Sequence, residues 1–172
     1  MEKNKSSKSK ASEMEHAIRK HCKIHMDEDP VLYERLSEKL ESIIKKYREN
    51  WDDLYKELFD LRKEAESGRK DENDPQAAPF IDLIGKLAFG NKEIPAEVKP
   101  KLEDLVQEIL AKLKQSIGII NFWSNAPEVK KLKGELSDLL LFTEIDEVVD
   151  KSSELATEIT ALAKVRHKEI VA

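Results

Sequence analysis

Three side chains able to ligate a metal or act as nucleophiles crowd one short stretch of the chain, His21, Cys22 and His25, with His16 just upstream. Residues four apart share a helical face, so His21 and His25 would sit one above the other, with Cys22 three residues before His25. Two imidazoles and a thiolate could hold zinc if a fourth ligand arrived. The plainer account is an amphipathic helix with exposed or interfacial histidines, and no bound metal is expected. The rest of the chain is poor in chemistry. It has no glycine-rich phosphate loop, no GK[ST], no nucleophile elbow and no Cys-x-x-Cys. Asp27-Glu28-Asp29 lacks a preceding apolar strand that would set it at a sheet edge. A single cysteine excludes a disulfide framework within the chain and fits a reducing compartment. Neither catalysis nor a cofactor is expected of this chain.

Residues suited to binding are easier to find. Trp51, Tyr55 and Phe59 recur every four residues beside a Leu54 and Leu58 seam, amphipathic anchors of the kind enriched at protein interfaces. Phe122 and Trp123, within Asn121-Phe-Trp-Ser-Asn125, either anchor a partner or plug the gap between two helices. Inward packing is the favoured expectation, and both remain partner-binding candidates. Net charge is -5, unevenly spread: residues 1–26 hold seven Lys or Arg against three acids, a surplus of +4, which leaves -9 on the remainder. Arg19, Lys20 and Lys23, with the separate cluster Lys130, Lys131 and Lys133, are the candidates for DNA phosphate contacts. The ordinary reading of the basic end is a solvated tail. With an acidic body behind it, the isolated chain should bind duplex DNA weakly or not at all.

The elements that must position these residues are helices. Of 172 residues, 38% are charged against a usual share of about 25%, and five Gly with six Pro starve a turn-rich β fold. The expectation is an all-α helical bundle of about six or seven helices. Ser12 to Met26 reads as a helix with a narrow apolar stripe. Asp29 can cap the next, with Pro30 as its first residue. From there apolar residues recur every three or four positions without Gly or Pro until Gly68, which predicts one long helix from Pro30 to about Ser67, on the order of 55 Å. A break at Asn50, where Asn-Trp-Asp-Asp makes a good helix start, is the alternative. Further helices are predicted after Asp74-Pro75 to Phe89-Gly90, from Pro100 through Ile117 and Ile120, and from about Ala126 to Leu140. A last one follows a Thr143-x-x-Asp146 capping box. The predicted layout is a basic flexible tail over 1–11 and a single helical domain over 12–172, with a polar linker near 68–74. No apolar run reaches the length of a membrane span and no signal peptide is recognisable, so a cytoplasmic protein with no membrane partner is expected.

Several segments carry a family resemblance. Glu13-Met-Glu-His-Ala-Ile-Arg-Lys-His21, His25-Met-Asp-Glu-Asp-Pro30, Tyr33 to Leu40, Asn50-Trp-Asp-Asp-Leu54, Ile119-Ile-Asn-Phe-Trp-Ser-Asn125 and Leu132-Lys-Gly-Glu-Leu136 together resemble the C-terminal helical region of the R (motor and restriction) subunit of type I restriction-modification enzymes. The likeness spans about Lys10 to His167. The parent family is an ATP-dependent, site-specific deoxyribonuclease using ATP and Mg2+, in which a nuclease domain cuts DNA and helicase-like domains move it. The C-terminal helices join that motor to the methyltransferase and specificity subunits. The resemblance implies a noncatalytic assembly domain whose partners are those two subunits, with DNA reached through the complex. It carries over no nuclease or ATPase residue, because no position here matches those motifs, and the chain resembles a detached C-terminal piece. Two other readings stand beside it: a DNA-contacting helical module using the basic N-terminal arm, and a coiled-coil adaptor that self-associates through the Pro30 to Ser67 helix.

Overall fold

A computed structural model describes residues 6–69 and 74–172. Parts of the predicted tail and linker, residues 1–5 and 70–73, lie outside that range. The described residues are all-helical, with no strand among them. They form α1 (Ser7–His25), α2 (Pro30–Lys46), α3 (Trp51–Ser67), α4 (Ala78–Phe89), α5 (Val98–Ile117), a 3-10 turn (Phe122–Ser124), α6 (Ala126–Leu141), α7 (Asp146–Val149), α8 (Ser152–Val165) and α9 (His167–Val171). Where a single domain was predicted over 12–172, the chain divides into two compact units, Met1–Lys70 and Asp71–Ala172. The division falls within the predicted linker, and each side of it closes its own core.

The first unit is an up-down-up bundle of three helices. Ala11, Met14, Ile18 and Cys22 of α1, Tyr33, Leu36 and Leu40 of α2, and Leu54, Leu58, Leu61 and Ala65 of α3 make its core. These spacings of three and four give each helix one apolar stripe. Helix α1 begins earlier than predicted. Ser6 caps it by accepting a hydrogen bond from the Ser9 N–H at 3.3 Å, and Ala11, assigned to a flexible tail, is buried because it extends the Met14 stripe by one turn. Start-to-start and end-to-end contacts make α1 and α3 parallel: the Ser7 hydroxyl donates to Asp52, and the His21 Nε2 meets the Ala65 carbonyl at 3.0 Å.

The predicted long helix does not form. It ends at Lys46, Glu49 takes a φ of 70°, and Asn50 restarts the chain as α3 by accepting from the Asp53 N–H at 3.5 Å. An unbroken helix would carry Leu54, Leu58, Leu61 and Ala65 away from α1 into water. Reversal at Tyr47–Asn50 lays that stripe on α1 instead. Asp29 also departs from its predicted role. It makes no side-chain cap; its buried carboxylate takes a two-pronged bond from Arg69, Nε to Oδ2 at 2.6 Å and a terminal nitrogen to Oδ1 at 2.8 Å. That pair ties the start of α2 to the chain just after α3.

In the second unit α5 buries a wide face of Leu102, Leu105, Val106, Ile109, Leu110, Leu113 and Ile117. It packs with α4, α6 and α9, while α6 also lies along α8. Gly85 lets the loop after α4 approach closely, since a Cβ there would lie 2.8 Å from the Ile94 side chain. Two predictions fail here. Ile120, expected inward, lies beyond the end of α5 and is 87% exposed. The Thr143 capping box is absent: α7 starts after Ile145 without a side-chain cap, and a turn at Asp150–Lys151 separates it from α8. Burial of Ile145 and Val148 against the core sets that start.

Glu49 and Arg69 give two tests by urea unfolding, read through alkylation of the core residue Cys22. A left-handed conformation costs an L-residue roughly 1–2 kcal/mol, against an entropic penalty for Gly of roughly 0.5–1 kcal/mol, so Glu49→Gly should stabilise the first unit by up to about 1 kcal/mol. Arg69→Met strands a buried carboxylate and should destabilise it by about 3–5 kcal/mol. Adding Asp29→Asn should recover part of that loss.

Candidate docking surface

Four-residue spacing on α3 drifts slowly around the helix, which separates its two sets of large side chains. The leucine seam faces α1 and α2, while Trp51, Tyr55 and Phe59 run along the flank. Trp51 is 37% and Phe59 41% exposed, and Tyr55 is half-buried against the core. The Tyr55 and Phe59 rings lie 6.3 Å apart. Lys8 of α1 sits 5.4 Å from the Trp51 ring and Lys63 sits 4.5 Å from that of Phe59, so cations cover part of both faces. Around them α3 carries Asp52, Asp53, Glu57 and Asp60 together with Lys56. The flank is aromatic with charges of both signs around it, which suits protein docking.

The other aromatic pair lies in the second unit. Phe122 is buried in its core and is not a free anchor, because the 3-10 turn between α5 and α6 drives it inward. Trp123 is half-buried and donates its indole N–H to Nδ1 of His167 at 3.1 Å. The pair closes a helix junction, Asn125 capping α6 just beyond it.

His21, Cys22 and His25 share a helix but do not converge on one point. Cys22 belongs to the core, His21 Nε2 is taken by the Ala65 carbonyl, and His25 Nδ1 lies 2.9 Å from a Glu28 carboxylate oxygen. The two imidazoles lie tilted at 46° with ring centres 4.4 Å apart, beside Tyr33. His16 is exposed. No group of three or more potential ligands forms among the described residues. Burial pushes the Cys22 thiol above its usual pKa, against a smaller opposing contribution from a hydrogen bond with Ser37.

The basic candidates are split between the units. Lys20 and Lys23 are exposed on α1, but Arg19 is engaged by Glu15 and Glu41, and the hydrogen bond to Glu41 is the main cause raising its pKa. Lys130 and Lys131 are exposed on α6 and Lys133 is half-buried; Lys131 borders a cleft it shares with Glu128 and Glu135. Among the described residues no helix is long and apolar enough to cross a membrane.

No family model, curated protein or solved structure matches the chain. Sequence patterns missed two features: the Asp29–Arg69 pair, whose members lie 40 residues apart, and the exposed Phe142. Only the second left a local trace, an aromatic directly after the end of α6.

The Cys22 environment gives a test with a definite sign. Burial favours the neutral thiol, so the unfolded chain ionises first as pH rises. The contribution to stability is whole below the ordinary thiol pKa of about 8.5 and is lost above it. Stability of the first unit should fall as pH rises past the ordinary thiol pKa, and the fall should be shallower in Cys22→Ala. Iodoacetamide should label the folded chain on the order of a hundredfold more slowly than the urea-unfolded one, because labelling requires opening of the unit.

Proposed function

We propose that the chain is a noncatalytic helical docking module, and that it serves as the assembly region of a type I restriction enzyme R subunit, joining the DNA-translocating endonuclease to its methyltransferase core. The observation that carries the docking reading is the α3 flank, where Trp51 and Phe59 stand exposed one turn to either side of Tyr55 in a helix whose other face is already buried. Exposed aromatics grouped on one flank have no role in the unit's own core, and such groups concentrate binding energy when a partner covers them.

The assignment to a type I enzyme is supported by the segments that resemble that family. Glu13 to Pro30 builds the end of α1 and the turn into α2, and Asn121 to Asn125 builds the α5–α6 junction. The resemblance thus falls on joints of the two units. It implies as partners the methyltransferase and specificity subunits, with no cofactor held by this chain and with ATP and Mg2+ used by the motor. The coiled-coil adaptor reading loses its premise with the break at Tyr47–Asn50. The DNA-contacting reading loses Arg19, which two glutamates already hold.

Co-expression with the methyltransferase and specificity subunits of the same genome tests the proposal. The chain should co-elute with them, and Trp51→Ala with Phe59→Ala should lower that affinity by at least about tenfold while costing the first unit no more than about 1 kcal/mol. Absence of co-elution would defeat the assembly reading. Submicromolar duplex binding at about 150 mM salt, weakening steeply as salt rises, would return the chain to the DNA-contacting class.

A further inference from the structure

Helices α5 and α6 run antiparallel, and their outward sides part to leave a groove. At one end Asp104, Leu105 and Glu108 of α5 face Leu139 and Phe142 across a cleft of about 280 Å³. A second cleft of about 280 Å³ shares Leu139 and Phe142 and runs past Asp138 to Lys112. A third, of about 240 Å³, continues between Ser116 and Ile119 on one side and Leu132 and Glu135 on the other. At 1.5 Å per residue, the groove from Lys101 to Ile119 is about 27 Å long, the length of a five-turn helix.

Its apolar anchors are the side chains this unit does not use. Phe142, which caps the end of α6, is 86% exposed, and Ile119, beyond the end of α5, is 57% exposed. Leu105, Leu132 and Leu139 form the floor between them. The rim is anionic. Lys101 is occupied by Glu144 at 3.3 Å and Lys112 by Glu135 at 2.7 Å. Asp104, Glu108 and Asp138, around the Phe142 end, pair with no cation among the described residues. An apolar floor between unneutralised carboxylates is complementary to a helix with an apolar stripe flanked by Lys and Arg. A second copy is a poor occupant, since the basic amphipathic helix of this chain, α1, already buries its apolar stripe in the core of the first unit.

We propose that the α5–α6 groove binds a cationic amphipathic helix from a partner protein, its apolar stripe running from Phe142 to Ile119 and its basic residues over Asp104, Glu108 and Asp138. This site is separate from the α3 flank and does not depend on the assembly reading.

The test uses the full chain and a labelled 18-residue peptide with a leucine stripe and lysine flanks, followed by fluorescence anisotropy at about 150 mM salt. Saturable one-to-one binding is expected, at least about tenfold tighter than that of a scrambled peptide of the same composition or a peptide with Glu in place of Lys. Phe142→Ser with Ile119→Ser, both at exposed positions, should weaken binding by about tenfold or more, as should Glu108→Lys with Asp138→Lys. Trp51→Ala with Phe59→Ala should leave it unchanged. Circular dichroism and thermal melting would verify that the groove variants fold. Equal binding of the scrambled peptide, no binding at about 1 mM, or full binding by folded groove variants would overturn the proposal. So would concentration-dependent dimerisation abolished by Phe142→Ser, which would give the groove to a second copy.

Discussion

A helix whose apolar residues occupy one stripe must have that stripe covered, and this requirement organises the first unit. Leu54, Leu58, Leu61 and Ala65 continue the register of Leu36 and Leu40, so nothing in periodicity opposes a single helix. In a small domain, however, the distal half of such a helix would have nothing to lie against. Reversal at Tyr47–Asn50 removes a few helical hydrogen bonds and places Glu49 in a left-handed conformation. In exchange, four apolar side chains leave water, each worth on the order of 1.5–3 kcal/mol for a residue as large as Leu. That gain exceeds the cost of one left-handed residue, about 1–2 kcal/mol.

Once the chain reverses, the parallel arrangement of α1 and α3 follows, and so do the polar joints at the bundle's end. The His21 ring reaches the last turn of α3, where it meets the Ala65 carbonyl, whose backbone donor is the Gly68 N–H at 3.4 Å. Asp29 is drawn from capping into the Arg69 clamp because the end of α3 arrives beside the start of α2. A buried pair of this kind contributes little net stability, but its loss on one side is costly, so it favours one register over a slipped alternative.

The second unit meets the same requirement differently. Its central helix, α5, is covered by several neighbours, of which α6 leans toward α8 and leaves one side of the α5–α6 pair open. Exposed apolar residues then collect at helix ends, at Ile120 and Phe142, where the backbone leaves the packed direction. The two units thus present unlike surfaces: an aromatic flank on α3, and on α5–α6 a groove with apolar anchors at both ends and, around its Phe142 end, carboxylates that pair with no cation among the described residues. Neither surface brings together acid, base and nucleophile, and both offer apolar contact with charge around it.

Helical class, the starts at Pro30 and near Ala126, and the inward stripes of α1, α3 and α5 were legible in the sequence, because local periodicity and capping chemistry depend on residues within a turn or two of each other. The division near residue 70 was legible as a polar interruption, though not as a boundary between two cores. What only tertiary structure decided was which competing local signal prevailed. Asn50 could cap a helix, but whether it did depended on α1 being available to cover α3. Asp29 could cap α2, yet Arg69, distant in sequence, took its carboxylate. Phe122 and Trp51 are both aromatic residues beside helix starts, and one is buried while the other is exposed because only the first has a core on that side. Exposure is set by what lies opposite a side chain, and the sequence around that side chain does not encode its distant neighbour.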